Sequence, residues 1–366
     1  MALKRCGVCG LPLRLARNYD WQGNGVILAR NDPTMRMVVF EADYYAHIWS
    51  KLEELLRVNI SDAMFRGQHA ATQDYIDNNI LYGWRGFVLS RLPMRFAFRR
   101  TVSELALFGF GSMYLEEYKP GKLMVIRVKH PFDIISIAWG AKGLLEFVEG
   151  MGSELAWRKE GDDYILSVLF HPEEQPGAEV ELEAMRFIRD AKRELSLAGK
   201  LLPPRDDRGE PCVSCGLPRA LTELEWREEE GAISRRDSNR RFVFTTGHVF
   251  LGVVREMEKR TGSDLGPLIM AISKDFHLRE LRGIPISTRN GAYRSAARYL
   301  FAGGFGNVQS FNSGEGYLEM VIENPFYIPR LVGRIAGLFE YVEGLDADIS
   351  FRSPEPQVLE LEIKAS

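Results

Sequence analysis

The sequence predicts an α+β protein made of two tandem copies of one domain, each with helices packed on an antiparallel sheet. Two observations point to this class. The string C-x-x-C-G-L-P occurs at 6–12 and again at 212–218. Segments of helical periodicity are followed, in both halves, by paired segments in which every second residue is apolar. Helices grouped against such alternating strands are typical of the α+β class.

Further motifs repeat in the same order in both halves. The clearest pair is G-L-L-E-F-V-E-G at 143–150 and G-L-F-E-Y-V-E-G at 337–344. The other matches are Trp21 with Trp226, 36–40 with 241–244, and His130-Pro131-Phe132 with Asn324-Pro325-Phe326. We interpret the chain as a tandem duplication that folds into an internal pseudo-dimer.

The repeats set the expected domain limits. The first domain is predicted at 1–171 and the second at 206–366. The intervening 172–205 is predicted to be a linker, because it is rich in proline and charge, with an amphipathic helix at about 179–198.

The predicted elements run in the same order in each copy. Two short strands come first, then three helices, a strand pair, a further helix and a closing strand pair. The first-copy bounds are strands 25–30 and 36–41, helices 42–58, 62–79 and 97–108, strands 111–118 and 122–129, helix 132–149, and strands 153–159 and 163–170. The second-copy counterparts are strands 231–235 and 241–245, and helices 247–261, 265–281 and 291–302.

Composition excludes some classes of function. Lys and Arg total 47 against 50 Asp and Glu, for a net charge of −3, so global charge gives no reason to bind nucleic acid or an anionic membrane. No stretch has the roughly 18–20 apolar residues of a membrane span. The N-terminus has no apolar core of a signal peptide, so we expect a cytoplasmic protein.

All the cysteines fall in the two repeated motifs, at Cys6, Cys9, Cys212 and Cys215. Two thiolates separated by two residues can face one ion, and the following glycine lets the next amides turn toward the sulfurs. One such knuckle supplies two ligands, and structural zinc takes four. The sequence therefore predicts one structural zinc per chain, shared between the knuckles.

Other readings of the cysteines stay open. Iron in a rubredoxin-type site uses the same geometry, and each knuckle could be completed by histidine or by a second chain. A redox pair is disfavoured, because the strand–helix setting of thioredoxin-like motifs is absent.

The order of motifs resembles the 4-vinyl reductase-like (hydrocarbon-binding) domain, whose fold is shared with vesicle-tethering TRAPP subunits and haem-based nitric-oxide sensors. The resemblance rests on Glu323-Asn324-Pro325-Phe326, on 333–338 and on the closing strands. It implies a domain that dimerises, encloses an apolar pocket, and acts as a sensor or adaptor.

The chain departs from that family in two respects. Many members bind zinc through cysteines in the last two strands, but 151–171 and 345–366 contain none. The haem relatives use Tyr-x-Ser-x-Arg, and here the string from Tyr293 places Arg298 one position late. We therefore expect no haem.

The aromatic content suggests a ligand pocket, although a filled core explains the same residues at least as well. The pocket candidates are Phe40, Tyr44, Tyr45, Ile48, Phe65, Phe244, Val249 and Phe250.

No catalytic constellation is visible, because the six histidines show no tight ligand spacing and no serine has a nucleophile-elbow context. We expect a non-enzymatic zinc protein that binds a small apolar ligand or a protein partner. The alternatives are a nucleic-acid-binding or scaffolding zinc protein and, third, an enzyme of tetrapyrrole or aromatic metabolism.

Overall fold

The structure is a computed structural model, and the residues it describes are 4–61, 63–66, 68, 94–172, 202, 210–238, 240–286 and 288–366. The described helices and strands confirm the α+β class and form three antiparallel sheets. The predicted helices at 62–79 and 179–198 lie largely or wholly outside the described residues.

The first half begins with the knuckle, short strands and one long helix, and continues into a helix-covered sheet. Its elements are α1 (Leu13–Asn18), β1 (Tyr19–Trp21), β2 (Ile27–Ala29), β3 (Arg36–Glu41), α2 (Ala42–Leu56), α3 (Met94–Leu107), β4 (Ser112–Lys119), β5 (Leu123–Lys129), α4 (Ile134–Glu149), β6 (Gly152–Glu160) and β7 (Asp163–His171).

The second half follows the same order, with one more described helix, at 266–281, before its sheet. Its elements are a 3-10 helix (Arg219–Glu223), β8 (Leu224–Arg227), β9 (Ala232–Arg235), β10 (Arg241–Thr246), α5 (Gly247–Thr261), α6 (Gly266–Leu281), α7 (Arg289–Ala302), β11 (Asn307–Gly314), β12 (Tyr317–Glu323), α8 (Ile328–Glu343), β13 (Ala347–Glu355) and β14 (Val358–Ala365).

Each half contributes a four-stranded sheet with one apolar face. The strand orders are β4-β5-β7-β6 in the first half and β11-β12-β14-β13 in the second. Alternate residues of the inner strands are buried, as at Leu359, Leu361 and Ile363 of β14. This is the period of two that a sheet requires when one face packs on helices.

The third sheet contains strands from both halves. Its order is β1-β2-β3-β10-β9-β8, so β3 and β10 pair in an antiparallel manner at its centre. All six residues of β3 are buried, as in a strand covered on both faces. The two halves are therefore joined by backbone hydrogen bonds through the middle of one sheet.

The N-terminal strands of the first half pack on the body of the second half. The Trp21 indole Nε1 donates to the Ala302 carbonyl at 3.0 Å, across 281 positions of sequence. The Gly306 amide donates to the Gly25 carbonyl at 3.1 Å.

The N-terminal strands of the second half make the equivalent contacts with the body of the first half. The Trp226 Nε1 donates to the Leu107 carbonyl at 3.1 Å, and the Gly111 amide donates to the Gly231 carbonyl at 2.8 Å. Each N-terminal segment therefore covers the helix-and-sheet body of the opposite half, an exchange that the repeat pattern alone did not predict.

Most predicted elements lie within a few residues of the observed ones. The helix α1, of six residues, and the outer strands β1 and β8, of three and four residues, were not predicted. The helix predicted at 132–149 begins two residues later, where the Asp133 side chain accepts a hydrogen bond from the Ser136 amide and caps it.

Candidate functional sites

The two cysteine motifs form knuckles with the same backbone hydrogen bonds. In the first, the Gly10 amide donates to the Cys6 carbonyl at 2.9 Å; in the second, the Gly216 amide donates to the Cys212 carbonyl at 2.8 Å. The two glycines have φ of 75° and 76°, a left-handed conformation that other residues rarely adopt. This explains why glycine follows the second cysteine in both motifs.

The knuckles face each other, so that the four sulfurs meet. All four Sγ atoms lie within 4.8 Å of one another. The Cys6 and Cys212 sulfurs are 3.8 Å apart, and those of Cys9 and Cys215 are 3.5 Å apart. A tetrahedral zinc with bonds of about 2.3 Å separates its sulfurs by about 3.8 Å. The cluster can therefore hold a metal ion such as zinc.

Backbone amides favour the thiolate form of one cysteine in each knuckle. The amides of Cys9 and Val8 hydrogen-bond to Cys6 and lower the pKa of its thiol to about 6. The amides of Cys215 and Ser214 lower the pKa of Cys212 in the same way.

For the second cysteine of each knuckle, burial favours the neutral thiol instead. Burial raises the pKa of Cys9, and it raises that of Cys215 to about 12. A cation between the knuckles would stabilise all four thiolates. Four protein ligands would fill its tetrahedral shell, which is the property of a structural rather than a catalytic site.

Arginines near the knuckles are held by carboxylates. Arg5, one residue before the first knuckle, donates to Glu228 at 3.0 Å and to the Trp226 carbonyl at 2.7 Å. Arg14 is paired with Glu104. These basic side chains therefore tie segments of the chain together.

A first cavity lies in the body of the first half, under α5 and β10 of the second half. Its volume is about 120 Å³ and its wall is almost entirely apolar. The apolar lining includes Phe98, Val102, Phe108, Phe110, Met113, Ile126, Ile137, Ala141, Leu144, Leu145 and Val249. The polar residues at its margin include Gln68, Thr101, Glu104, Ser136, Thr245 and Thr246.

A second, larger cavity occupies the corresponding place in the second half. Its volume is about 600 Å³, and it lies among α6, α7, α8 and the ends of β3 and β10. Phe242, Phe276, Leu300 and Leu338 contribute apolar wall, while Glu41, His277 and Arg334 bring charge and hydrogen-bonding capacity. By the sequence match of 143–150 with 337–344, Leu338 is the counterpart of Leu144 in the first cavity.

The polar end of the second cavity is a buried charge cluster. Glu41 pairs with Arg330 at 3.1 Å and with Arg334 by a short hydrogen bond. Arg334 Nη1 also lies 3.4 Å from His277 Nε2. The Arg330 side chain is fully buried, and its guanidinium carbon lies 4.2 Å from the centre of the Phe305 ring.

The charges of this cluster follow from its contacts. The neighbouring Arg334, with His277 and Arg330, outweighs the cost of burial and holds the pKa of Glu41 far below its usual range. Burial and the same arginines lower the pKa of His277, so the imidazole stays neutral near pH 7. Glu41 raises the pKa of Arg334 against the effect of burial.

The structure places the eight predicted pocket residues in three environments. Val249 lines the first cavity. Phe65 packs against Trp139, with ring centres 5.1 Å apart. The remaining six lie in the apolar cores: Phe40, Tyr44, Tyr45, Ile48 and Phe250 in one cluster and Phe244 in another. These six side chains pack tightly within the apolar cores, so the cavities are lined mainly by other residues.

The Glu41–Arg330–Arg334–His277 cluster was not anticipated. Arg330 and Arg334 are one helical turn apart in α8 and therefore project to the same side. A charged pair at this spacing is more often on a solvated face, so only the packing reveals that one of the two is buried.

Comparison with known proteins finds no matching family model, curated protein or solved structure. None of the described helices combines the length and apolar character that crossing a bilayer requires.

Proposed function

We propose that this is a non-enzymatic binding protein in which one zinc ion joins two related modules and a small apolar ligand occupies the first cavity, in a sensor or adaptor role. The observation that carries the proposal is the convergence of four cysteine sulfurs, two from each half of the chain. A metal in that position would lock the N-terminal segments of both halves to each other.

The exchanged contacts support the pseudo-dimer part of the proposal. Trp21 and Trp226, matched by the repeats, each donate a hydrogen bond to a helix-end carbonyl of the opposite half. The carbonyls of Gly25 and Gly231 each accept a hydrogen bond from a backbone amide of the opposite half, Gly306 and Gly111 respectively. Reciprocal contacts between counterpart residues are the property of an interface with two-fold symmetry.

The first cavity supports the ligand part. A cavity of about 120 Å³ with an apolar lining is close in size to the engineered cavity of about 150 Å³ that stays dry and binds benzene. Among its described lining residues there is no histidine, cysteine, lysine or arginine. Such a wall favours binding of an uncharged, compact molecule over catalysis, and is in keeping with the resemblance to hydrocarbon-binding domains.

The metal part is tested by native mass spectrometry and elemental analysis of the purified chain. We expect about one zinc per chain, because four thiolates complete one tetrahedral site. Cys6→Ser and Cys212→Ser should each lose it, whereas Val213→Ala, at an exposed side chain inside the second knuckle, should keep it. Two zinc ions per chain, or retention in both serine variants, would contradict a shared site.

The ligand part is tested with toluene and a matched pair of cavity-filling variants. Toluene should raise the melting temperature of the wild-type chain, because a ligand that binds only the folded state stabilises it by mass action. Leu144→Trp fills the first cavity and should abolish the shift, whereas the counterpart Leu338→Trp should leave it intact. The ligand proposal fails when toluene gives no shift, or when Leu144→Trp leaves the shift unchanged.

A further inference from the structure

The second cavity differs from the first in polarity as well as size. The two occupy corresponding places in the repeats, yet among the described lining residues only those of the second cavity include arginine and histidine. Its lining is mixed: besides apolar side chains and the ion cluster it includes the paired Arg235–Asp237 and Arg240–Glu280. A volume of about 600 Å³ lies within the usual range of pockets that bind small organic molecules.

The ion cluster has an excess of positive charge. Arg330 and Arg334 face the single carboxylate of Glu41, and His277 is neutral near pH 7. Arginine remains protonated in proteins, so the cluster contains two cations and one anion. An uncompensated positive charge in a desolvated place is costly, and an anion brought by a ligand would offset it.

The cluster also retains hydrogen-bond donors. Among the described residues, Arg334 uses only Nη1 in its hydrogen bonds to Glu41 and His277. Its side chain is 18% exposed and lines the cavity, so Nε and Nη2 are available to a ligand. Behind it, Nε and Nη1 of the fully buried Arg330 have no hydrogen-bond partner among the described residues.

The position of Arg334 suggests the shape of the ligand. Its guanidinium carbon lies 3.9 Å from the centre of the Tyr299 ring, which fixes the guanidinium plane at the cavity wall. Phe242, Phe276 and Leu338 line the same space. A ligand that reaches the guanidinium with a carboxylate would therefore lay an apolar body against aromatic and aliphatic side chains.

We propose that the second cavity binds an organic monocarboxylate with a flat apolar body, whose carboxylate accepts hydrogen bonds from Arg334. This site is separate from the zinc site and from the first cavity, so the inference does not rest on the proposed function. It gives the two repeats different ligand classes: a neutral apolar molecule in the first and an anionic one in the second.

The experiment compares 2-naphthoate with the neutral, nearly isosteric 2-naphthamide by isothermal titration calorimetry at pH 7. We expect the carboxylate to bind at least about tenfold more tightly than the amide, because hydrogen bonds to a charged group are the stronger ones. Leu338→Trp should block naphthoate binding, whereas the matched variant Leu144→Trp should leave it unchanged.

We expect two variants of the ion cluster to change the affinity for naphthoate in opposite directions. Arg334→Gln should weaken naphthoate binding at least about tenfold, because it removes the donor. Glu41→Gln should strengthen it, because Glu41 competes with the ligand for the same guanidinium. Circular dichroism controls for folding, and Arg289→Gln, which breaks the pair with Glu343 outside the cavity, is the control for loss of an ion pair.

The opposite signs separate a ligand site from a structural cluster, since a structural role predicts that both charge variants weaken binding. The proposal is overturned if naphthoate and naphthamide bind equally, or if naphthoate gives no heat of binding at its solubility limit. It is also overturned if a folded Arg334→Gln or Leu338→Trp variant binds naphthoate as the wild-type chain does.

Discussion

Val39 and Phe244 face each other as backbone partners in the antiparallel pair of β3 and β10, at the centre of the six-stranded sheet. On either side of them, Met37 pairs with Thr246 and Glu41 with Phe242. Arg36 matches Arg241 at the same offset of 205 positions as Trp21 matches Trp226, and at that offset Val39 and Phe244 are counterparts in the two repeats.

A residue that pairs with its own counterpart lies where a two-fold axis would pass. The register therefore supports the proposed relation between the halves independently of the cysteines. The amides of the two partners make equivalent hydrogen bonds: Val39 donates to the Gly303 carbonyl at 2.9 Å, and Phe244 donates to the Phe108 carbonyl at 2.8 Å.

The contact of Gly25 with Gly306 predicts a severe effect of a single methyl group. In Gly25→Ala the added Cβ would lie 2.3 Å from the Gly306 carbonyl carbon, and φ at Gly25 is 75°. We expect a loss of more than about 3 kcal/mol in the free energy of unfolding, measured by urea titration with circular dichroism. Gly150→Ala is the control, because its φ of 69° is similar but the space around it is open. Its cost should be only about 1–2 kcal/mol; equal costs would disprove the close approach.

The two exchanged tryptophans predict a matched pair of stability losses. Trp21→Phe and Trp226→Phe each remove an indole donor and leave a helix-end carbonyl without that partner. Each should cost about 1–3 kcal/mol in urea unfolding, because a buried polar group loses its hydrogen bond. A large cost for one variant and none for the other would show that the two contacts are not equivalent.

Burial of His277 predicts that stability falls on mild acidification. Burial and Arg334 lower the pKa of His277 well below 6.5, so the unfolded chain takes up a proton there while the folded chain does not. Stability therefore rises with pH in this range, and the histidine should cost about 2 kcal/mol between pH 7 and pH 5. His277→Gln keeps an acceptor toward Arg334 and should remove this part of the loss. If the free energy of unfolding falls equally in both proteins, His277 is not the titrating group.

The exchange of N-terminal segments predicts how the chain behaves when divided. Fragments 1–178 and 179–366, expressed together, should copurify as a one-to-one complex with about one zinc, because β3 and β10 pair and each fragment supplies two thiolates. Expressed alone, each fragment leaves its body uncovered and should aggregate or fail to hold zinc. The measurement is size-exclusion chromatography with metal analysis. A stable 1–178 monomer with its own zinc would exclude the pseudo-dimer.

The cysteine cluster could be anticipated because its information is local. A C-x-x-C-G motif fixes the knuckle through short-range hydrogen bonds, and the repetition at Cys6 and Cys212 then requires only that the knuckles meet. The long helices and alternating strands were predictable for the same reason, since period and capping are local properties.

The exchange of segments could not be read from the pattern. The apolar run of β3 indicates a buried strand. Nothing in the first half of the sequence shows whether the residues that cover this strand come from the same half or from the other. The ion cluster could not be predicted for a related reason. Arg330 is buried only because Glu41 and the ring of Phe40, which lie in a distant segment of the sequence, pack against it. The aromatic residues predicted for a pocket are core residues because they pack on one another.

Because Trp21 bonds to Ala302, the two partners of this contact leave the ribosome at different times. At roughly 5–20 residues per second, the 281 positions between them take on the order of 15–55 seconds to translate. During that interval the first β-strands and α2 are outside the ribosome without the helices that will cover them. The nascent chain must remain unaggregated until its last quarter emerges, so chaperone supply and translation speed should affect the yield of this protein more than that of two independently folding domains.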